Sequence, residues 1–168
     1  DIPNTVASAI EPLSGMELWA LTIHTSGGHE MMVRSVAMRD KTGSRMNIFG
    51  ITVLTSLGGD LWSEVHPGSD LDRSLEARAL AAERAGLDGI VCSPLDLSLL
   101  KGKAGKLARV VPGIRRMRTS AEDQTRVATA KEAAAAGASF IVVGRPILEA
   151  EDPIAEVKKT IGENAGVM

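Results

Sequence analysis

Short apolar runs alternate with helical patterns along the whole chain. Five of these runs predict strands, at residues 19–24, 46–54, 89–92, 107–111 and 140–143. Each run is nearly continuous in apolar residues and does not alternate apolar with polar positions. Continuous runs of this kind are typical of parallel strands that are covered on both faces. The pattern therefore predicts an α/β fold built on a parallel sheet.

A helical segment follows each predicted strand, and one more precedes the first strand. The first helix ends at Ser14-Gly15, and Gly86 is expected to end the helix at 72–85. Asp152 and Pro153 are a good N-cap and first residue for the last helix. The remaining helices are predicted near 29–39, 94–100 and 129–136, with longer loops at 55–70 and 112–123.

Five units of one strand and one helix fit two architectures. Parallel strands are joined by right-handed crossovers, which permit an open doubly wound sheet. They also permit a (β/α)8 barrel. A complete barrel has about 250 residues and seldom fewer than about 200, so a barrel within this length would lack its first three strands. The pattern leaves both alternatives open. No domain boundary is evident within the 168 residues, so residues 1–168 are interpreted as a single domain.

Composition narrows the classes of function. Apolar residues make up 44% of the chain, which is enough for a sizeable core. Aromatic residues make up only 2% and the net charge is −2, which argues against nucleic acid as a partner. No apolar run is long enough for a membrane span, and no secretory signal is recognisable. With Cys92 as the single cysteine, a reduced, cytoplasmic setting is expected.

The carboxyl ends of the last two predicted strands carry residues suited to phosphate. Parallel β/α folds bind ligands at these ends, and barrels commonly bind phosphate after strands seven and eight. Gly144 allows a close backbone approach, and Arg145 offers a planar fork to phosphate oxygens. Arg115 supplies a second cation on the preceding loop, and Gln124 adds an amide donor. The alternative is that both arginines are ordinary solvated side chains.

Other candidate residues carry weaker signals. His24 closes a strand and is either a general acid or base or a structural histidine. Cys92 lies in an apolar run and is interpreted as a core thiol. No spacing of His, Cys and carboxylate residues matches a metal site, so no bound metal is expected. The glycines at 27–28 lack the remaining residues of a dinucleotide fingerprint.

Several motifs occur together in the order and spacing of a known family. They are DIPNTV at 1–6, TIHTSGG at 22–28, ITVLTS at 51–56, GLDGIVCSP at 86–94, VPGIR at 111–115, DQ at 123–124 and IVVGRPI at 141–147. With these motifs the chain resembles the orotidine 5′-phosphate decarboxylase family over essentially its whole length. The resemblance implies a homodimeric (β/α)8 barrel that converts orotidine 5′-monophosphate (OMP) to uridine 5′-monophosphate (UMP) without a cofactor. The strands present would be strands 4–8, with strands 1–3 largely missing.

The resemblance also implies roles for individual residues. Asp1 matches the last aspartate of the family's Asp-x-Lys-x-x-Asp signature. Asp1 and Thr5 would then reach across the dimer interface into the partner subunit's site. Thr55 matches a residue near the pyrimidine. The implied substrate-binding residues are Ile2, Thr5, Thr55, Pro112, Arg115, Gln124, Gly144 and Arg145.

The printed sequence departs from the family pattern in one important respect. The lysine and the first aspartate of the signature would precede Asp1, and neither is in the 168 residues. The lysine would stabilise the carbanion left by decarboxylation and then supply a proton. We therefore expect the 168-residue chain alone not to decarboxylate.

Two alternatives to the decarboxylase stay open from the sequence. One is a truncated, non-catalytic product that binds nucleotide phosphate or only assembles. The other is a related sugar-phosphate decarboxylase of the same superfamily, which usually uses a metal. The combination of PGIR, DQ and GRP favours a nucleotide substrate over a sugar phosphate.

Overall fold

A computed structural model describes residues 1–115 and 126–164, and the side chains as far as residue 162. Within these residues, five parallel strands form one sheet in the order β1-β2-β3-β4-β5. The strands are β1 Ala20–His24, β2 Asn47–Ile51, β3 Gly89–Val91, β4 Ala108–Val111 and β5 Phe140–Ile141. The prediction of an α/β fold with five parallel strands is confirmed.

Helices follow the strands as predicted, and their ends carry the expected capping residues. The helices are α1 Pro3–Leu13, α2 His29–Lys41, α3 Gly59–Val65, α4 Leu71–Arg84, α5 Asp96–Leu99, α6 Ala130–Ala135, α7 Arg145–Leu148 and α8 Pro153–Asn164. The Asp152 side chain accepts hydrogen bonds of 3.0 Å from the backbone N–H groups of Ile154 and Ala155. Gly86 follows α4 with a φ of +79°, a conformation that favours glycine.

The predicted loop at 55–70 is wrong in part, because it contains the helix α3. The glycine pair at 58–59 indicates a loop, but Gly58 is the N-cap and Gly59 begins the helix, where glycine costs little. Trp62 is buried, stacks on His66 with ring centroids 3.9 Å apart, and donates a hydrogen bond of 3.0 Å to the Ser69 carbonyl. These contacts outweigh the local sequence signal.

The predicted strand at 140–143 is also longer than the observed one. The strand β5 ends at Ile141, and Arg145 begins the four-residue helix α7. The carbonyl of Gly144 accepts hydrogen bonds from the backbone N–H groups of Ile147 and Leu148. Arg145 therefore lies on the first turn of a helix and not at a simple strand end.

The chain divides into two compact units. The first consists of residues 1–53, 70–91 and 102–108. Its buried apolar residues come from α1, α2, α4 and the first three strands, and include Ile10, Met32, Ile48, Phe49, Leu75 and Ile90. In this unit the registers pair His24 with Ile51 and Ile51 with Val91, so the carboxyl ends of β1, β2 and β3 are level.

The second unit consists of residues 54–69, 92–101 and 109–168, of which 116–125 and 165–168 are not described. Its buried apolar residues include Trp62, Cys92, Leu97, Leu100, Val111 and Ala133. The register pairs Val111 with Ile141, so the carboxyl ends of β4 and β5 are also level. No helix within the described part of the chain combines the length and apolarity that a membrane span requires.

A polar network at the amino ends of the strands in the first unit is expected to contribute to the free energy of unfolding. The Asp88 carboxylate pairs with Arg39 and accepts a hydrogen bond of 2.8 Å from the backbone N–H of Ile48. Replacing Asp88 by alanine is expected to lower the free energy of unfolding by about 2 kcal/mol, because it leaves this N–H without its acceptor and removes one of the two carboxylates that pair with Arg39. Urea denaturation measures the change.

Asp40 provides a matched control for Asp88, because it pairs with the same Arg39 but its side chain is 60% exposed. Alanine at position 40 is expected to change the free energy of unfolding by less than about 0.5 kcal/mol. Equal losses in the Asp40 and Asp88 variants would contradict the structural role of Asp88.

Candidate functional site

The segments that follow β4 and β5 line a common pocket in the second unit. Val142 donates a backbone hydrogen bond of 2.9 Å to Val111, which continues the strand pairing toward the two loops. Arg115 lines the pocket, and so do Val143 and Pro146, which flank Gly144-Arg145. The pocket is partly open to solvent, and its empty volume of about 330 Å³ includes that open space; it is lined by Ile114, Arg115, Ala130, Val143, Pro146, Glu156, Lys159 and Thr160. Two segments predicted to bind phosphate are thus brought together.

The backbone of the Arg115 segment is held by residues 126–128. Ala128 donates a backbone hydrogen bond of 3.2 Å to Gly113 and accepts one of 2.9 Å from Arg115. Ile114 and Ala128 form an isolated parallel bridge. The half-buried Arg115 side chain donates from Nη1 to the Ile114 carbonyl at 2.9 Å. Pro112, at the start of this segment, is also half-buried. The backbone from Gly113 to Arg115 is therefore fixed in place.

The Gly144-Arg145 segment combines open space with a half-buried cation. Gly144 is the N-cap of α7, and a Cβ built on it would meet no atom within 4 Å. Arg145 is half-buried at the first position of the helix. Because the space beside Gly144 is open, a ligand can approach its backbone closely. An arginine at the next position suits an anionic ligand.

The charges that line the pocket favour an anion with hydrogen-bonding oxygens. Arg115 and Lys159 contribute positive charge, and Glu156 contributes one carboxylate. Thr160 adds a hydroxyl group that can both donate and accept hydrogen bonds. The α8 residues Glu156, Lys159 and Thr160 were not predicted from the sequence. These three residues were found only because α8 packs beside the Arg115 segment.

Two further predicted residues belong to the second unit. Thr55 is half-buried in a turn that is closed by a hydrogen bond of 3.0 Å from Leu57 N–H to the Leu54 carbonyl. Gln124 lies outside the described residues, as does most of the predicted loop at 112–123. The roles of Thr55 and Gln124 stay predictions.

The remaining predicted site residues belong to the first unit and are exposed. Asp1, Ile2 and Thr5 all lie at the surface, and Ile2 is 60% exposed. A Cβ built on Gly27 would lie 3.5 Å from the Asp1 Cα, so Asp1 lies beside the turn that follows β1. This turn is a short 3-10 helix at Thr25–Gly27, which directly follows the exposed His24. Asp1 is therefore accessible at the carboxyl end of β1.

Cys92 is buried, as expected for a core thiol. Its backbone N–H donates to Val110 at 3.1 Å, and the residue is fully buried. Burial raises the pKa of the Cys92 thiol to about 12, although the positive charges of Arg109 and Arg126 act in the opposite direction. A thiol with this pKa is a poor nucleophile at neutral pH.

The raised pKa of Cys92 predicts a loss of stability in alkaline solution. Above pH 9.0, the ordinary thiol pKa, the unfolded state loses its proton while the folded state keeps it up to a pH of about 12. The folded state then binds more protons, so the free energy of unfolding falls as the pH rises through this window. Urea denaturation at about pH 8 and about pH 10.5 should show a smaller decline for Cys92→Ala than for the unchanged chain. Identical declines would contradict this assignment.

Sequence reasoning missed a buried ion pair. Asp96 and Arg126 pair in the second unit, with exposures of 2% and 8%. The Asp96 carboxylate also accepts a hydrogen bond of 2.7 Å from the backbone N–H of Ser93. The segment Ser93-Pro94-Leu95-Asp96 fits the Ser-x-x-Asp pattern of a helix start, which is a signal for the Ser93–Asp96 contact. No local signal identifies Arg126 as the partner.

Comparison with known proteins assigns the chain to a family. The family described as orotidine 5'-phosphate decarboxylase / HUMPS matches residues 1–160. The orotidine 5'-phosphate decarboxylase of Opitutus terrae is 40% identical over 164 residues, which is 97% of this chain and 71% of that protein. The crystal structure of the Lactobacillus acidophilus orotidine 5'-phosphate decarboxylase has a TM-score of 0.83 and 31% identity, covering 98% of this chain and 71% of that one. The chain belongs to the orotidine 5'-phosphate decarboxylase / HUMPS family.

Proposed function

We propose that the protein is a carboxy-lyase that converts OMP to UMP in pyrimidine biosynthesis. One observation carries the proposal beyond family membership. Arg115 and the residues flanking Gly144-Arg145 line one pocket, at the strand ends where β/α folds bind phosphate. OMP and UMP share a 5′-phosphate monoester, which is the group that this pocket suits. The pocket therefore supports a nucleotide substrate.

In this proposal the second unit binds the phosphate and the base. Arg145 forms paired, charge-assisted hydrogen bonds with phosphate oxygens, and Arg115 adds a second positive charge. Gly144 lets the phosphate approach the backbone, and Pro112 fixes the start of the Arg115 segment. Gln124 donates to the phosphate and pairs with an edge of the base, and Thr55 lies near the pyrimidine. Phosphate binding energy then orients the reacting base, although the phosphate takes no part in the bond that breaks.

The first unit contributes residues to a shared site. We infer a homodimer in which Asp1 and Thr5 reach the partner subunit's pocket, with Ile2 as a further substrate-binding residue. Their exposure supports this arrangement, and so do the exposed apolar side chains of Met16 at 56% and Trp19 at 59%. A carboxylate such as Asp1 favours the charged form of a neighbouring lysine. An ammonium group held in this way stabilises the carbanion that remains when CO2 leaves.

We further propose that residues 1–168 belong to a single (β/α)8 barrel domain in which β1 to β5 are strands 4 to 8. The parallel order of the five strands and the TM-score of 0.83 support this correspondence. A cytoplasmic location fits the single buried cysteine, because a reduced thiol suits that compartment.

Turnover of OMP by the natural protein tests the proposal. The loss of orotate absorbance should accompany the formation of UMP, and a metal chelator should leave the rate unchanged. Orotidine, which lacks the phosphate, should react at least about a hundredfold more slowly, since remote binding energy supports the chemical step. Absence of UMP formation, or a rate that requires a divalent metal, would overturn the proposal. The latter result would favour a sugar-phosphate enzyme.

A further inference from the structure

A buried ion pair lies in the same compact unit as the segments that form the phosphate pocket. Asp96 begins α5 and is 2% exposed, and one of its carboxylate oxygens pairs with Arg126. The other oxygen accepts a hydrogen bond of 2.7 Å from the Ser93 backbone N–H. The Asp96 N–H in turn donates to the Ser93 carbonyl at 3.1 Å. Asp96 is thus fixed to the segment after β3, and Arg126 is fixed to Asp96.

Arg126 precedes Ala128 by two residues, and the backbone of Ala128 holds the backbone of Arg115. Ala128 donates to Gly113 at 3.2 Å and accepts from Arg115 at 2.9 Å. The bridge between Ala128 and Ile114 lies between these two bonds. A short, continuous path therefore runs from the Asp96 carboxylate through Arg126 and Ala128 to the Arg115 backbone. Every member of this path lies in the second unit.

We propose that Asp96 and Arg126 are positioning residues for phosphate binding: their buried ion pair anchors residues 126–128, which hold Arg115 at the pocket. This inference rests on the proposed nucleotide-binding function. The pair itself touches no substrate. It acts through Arg115, whose guanidinium must be aligned with phosphate oxygens to form charge-assisted hydrogen bonds.

The burial of the pair favours a positioning role. A buried ion pair contributes little net stability compared with apolar residues of the same size, because both charges lose their hydration. Its geometry is nevertheless restrictive, since each charge requires its partner in one place. Arg126 reaches Asp96 through the Nη2 atom of its planar guanidinium, whose shape and reach a lysine ammonium does not reproduce. Such a pair suits a segment whose exact placement affects binding.

The experiment compares the affinities of UMP and uridine by calorimetry. The ratio of the two affinities isolates the contribution of the phosphate. Asp96→Asn is expected to reduce this ratio by about tenfold, with little change in uridine affinity, because small displacements of a binding group are costly. In an Arg115→Ala background, the same substitution should change the ratio by less than about twofold, since the two residues act as one unit.

Matched variants separate positioning from general stability. Glu76→Gln breaks another ion pair, with Lys103, which is part of the first unit and partly exposed. It should leave the affinity ratio unchanged. Arg126→Lys keeps the charge but loses the planar guanidinium, and it should reduce the ratio less than Asp96→Asn does. If Asp96→Asn does not fold, Arg126→Lys carries the test, again with and without Arg115→Ala.

Three outcomes would overturn the inference. One is an unchanged affinity ratio in a variant whose melting temperature has fallen. Another is a further reduction of the affinity ratio by about tenfold when Asp96→Asn is added to Arg115→Ala. The third is failure of both variants to fold, because the pair would then be a requirement of the fold. If the unchanged protein itself did not prefer UMP over uridine, the proposed function would fail instead.

Discussion

Replacing Arg145 by alanine is expected to weaken UMP binding by about a hundredfold, because the guanidinium forms charge-assisted hydrogen bonds with the phosphate. Uridine affinity should change little, since uridine has no phosphate. Arg145→Lys should give an intermediate loss, because lysine keeps the charge but not the planar fork. Isothermal titration with both ligands measures the three effects.

Arg45→Ala is the control for this prediction. Arg45 is an exposed arginine in the first unit, in the loop before β2, and carries the same charge. Its removal should leave UMP affinity within about twofold of the unchanged value, as expected for an exposed charge that is screened by salt and does not line the pocket. A comparable loss of UMP affinity in the Arg45 and Arg145 variants would show that net charge, and not the pocket, determines binding.

Replacing Gly89 by alanine is expected to destabilise the fold by more than about 3 kcal/mol, because the sheet has no space for a methyl group there. A Cβ at Gly89 would lie 2.5 Å from the Ala108 carbonyl oxygen, 2.8 Å from Phe49 Cδ1 and 3.0 Å from the Ala108 Cβ. The closest of these atoms belongs to the backbone and cannot rotate away. Thermal and urea denaturation measure the loss.

Gly105→Ala provides the comparison for Gly89→Ala. A Cβ at Gly105 would meet no atom within 4 Å, and the residue does not have a positive φ. The substitution should leave the free energy of unfolding unchanged or raise it by up to about 1 kcal/mol, through a smaller entropy of the unfolded chain. If Gly89→Ala were as stable as Gly105→Ala, the close packing at β3 would be wrong.

The parallel sheet was predictable because its signal is local. Buried parallel strands consist of continuous apolar residues, so the runs at 46–54 and 107–111 identified β2 and β4. Helix ends were also predictable, since a cap such as Asp152 acts on the next few residues. The helix α3 was not, because Trp62 is stabilised by packing that the local pattern does not encode.

The candidate site was partly predictable for a related reason. Parallel strands place their carboxyl ends together, so the sequence alone indicated that the Arg115 and Arg145 segments are neighbours. The contributions of Lys159 and Glu156 depend on how α8 packs beside the pocket. The pairing of Asp96 with Arg126 likewise depends on tertiary contacts between distant segments. The spacing of hydrophobic residues along the sequence does not encode such contacts.

The central claim is that the loops after β4 and β5 form a nucleotide phosphate site. Calorimetric titration of the unchanged protein with UMP and with uridine tests this claim most directly. We predict that UMP binds at least about a hundredfold more tightly than uridine, because only UMP supplies the phosphate for Arg115 and Arg145. Equal affinities for the two ligands would contradict the claim, since the pocket would then contribute nothing to phosphate recognition.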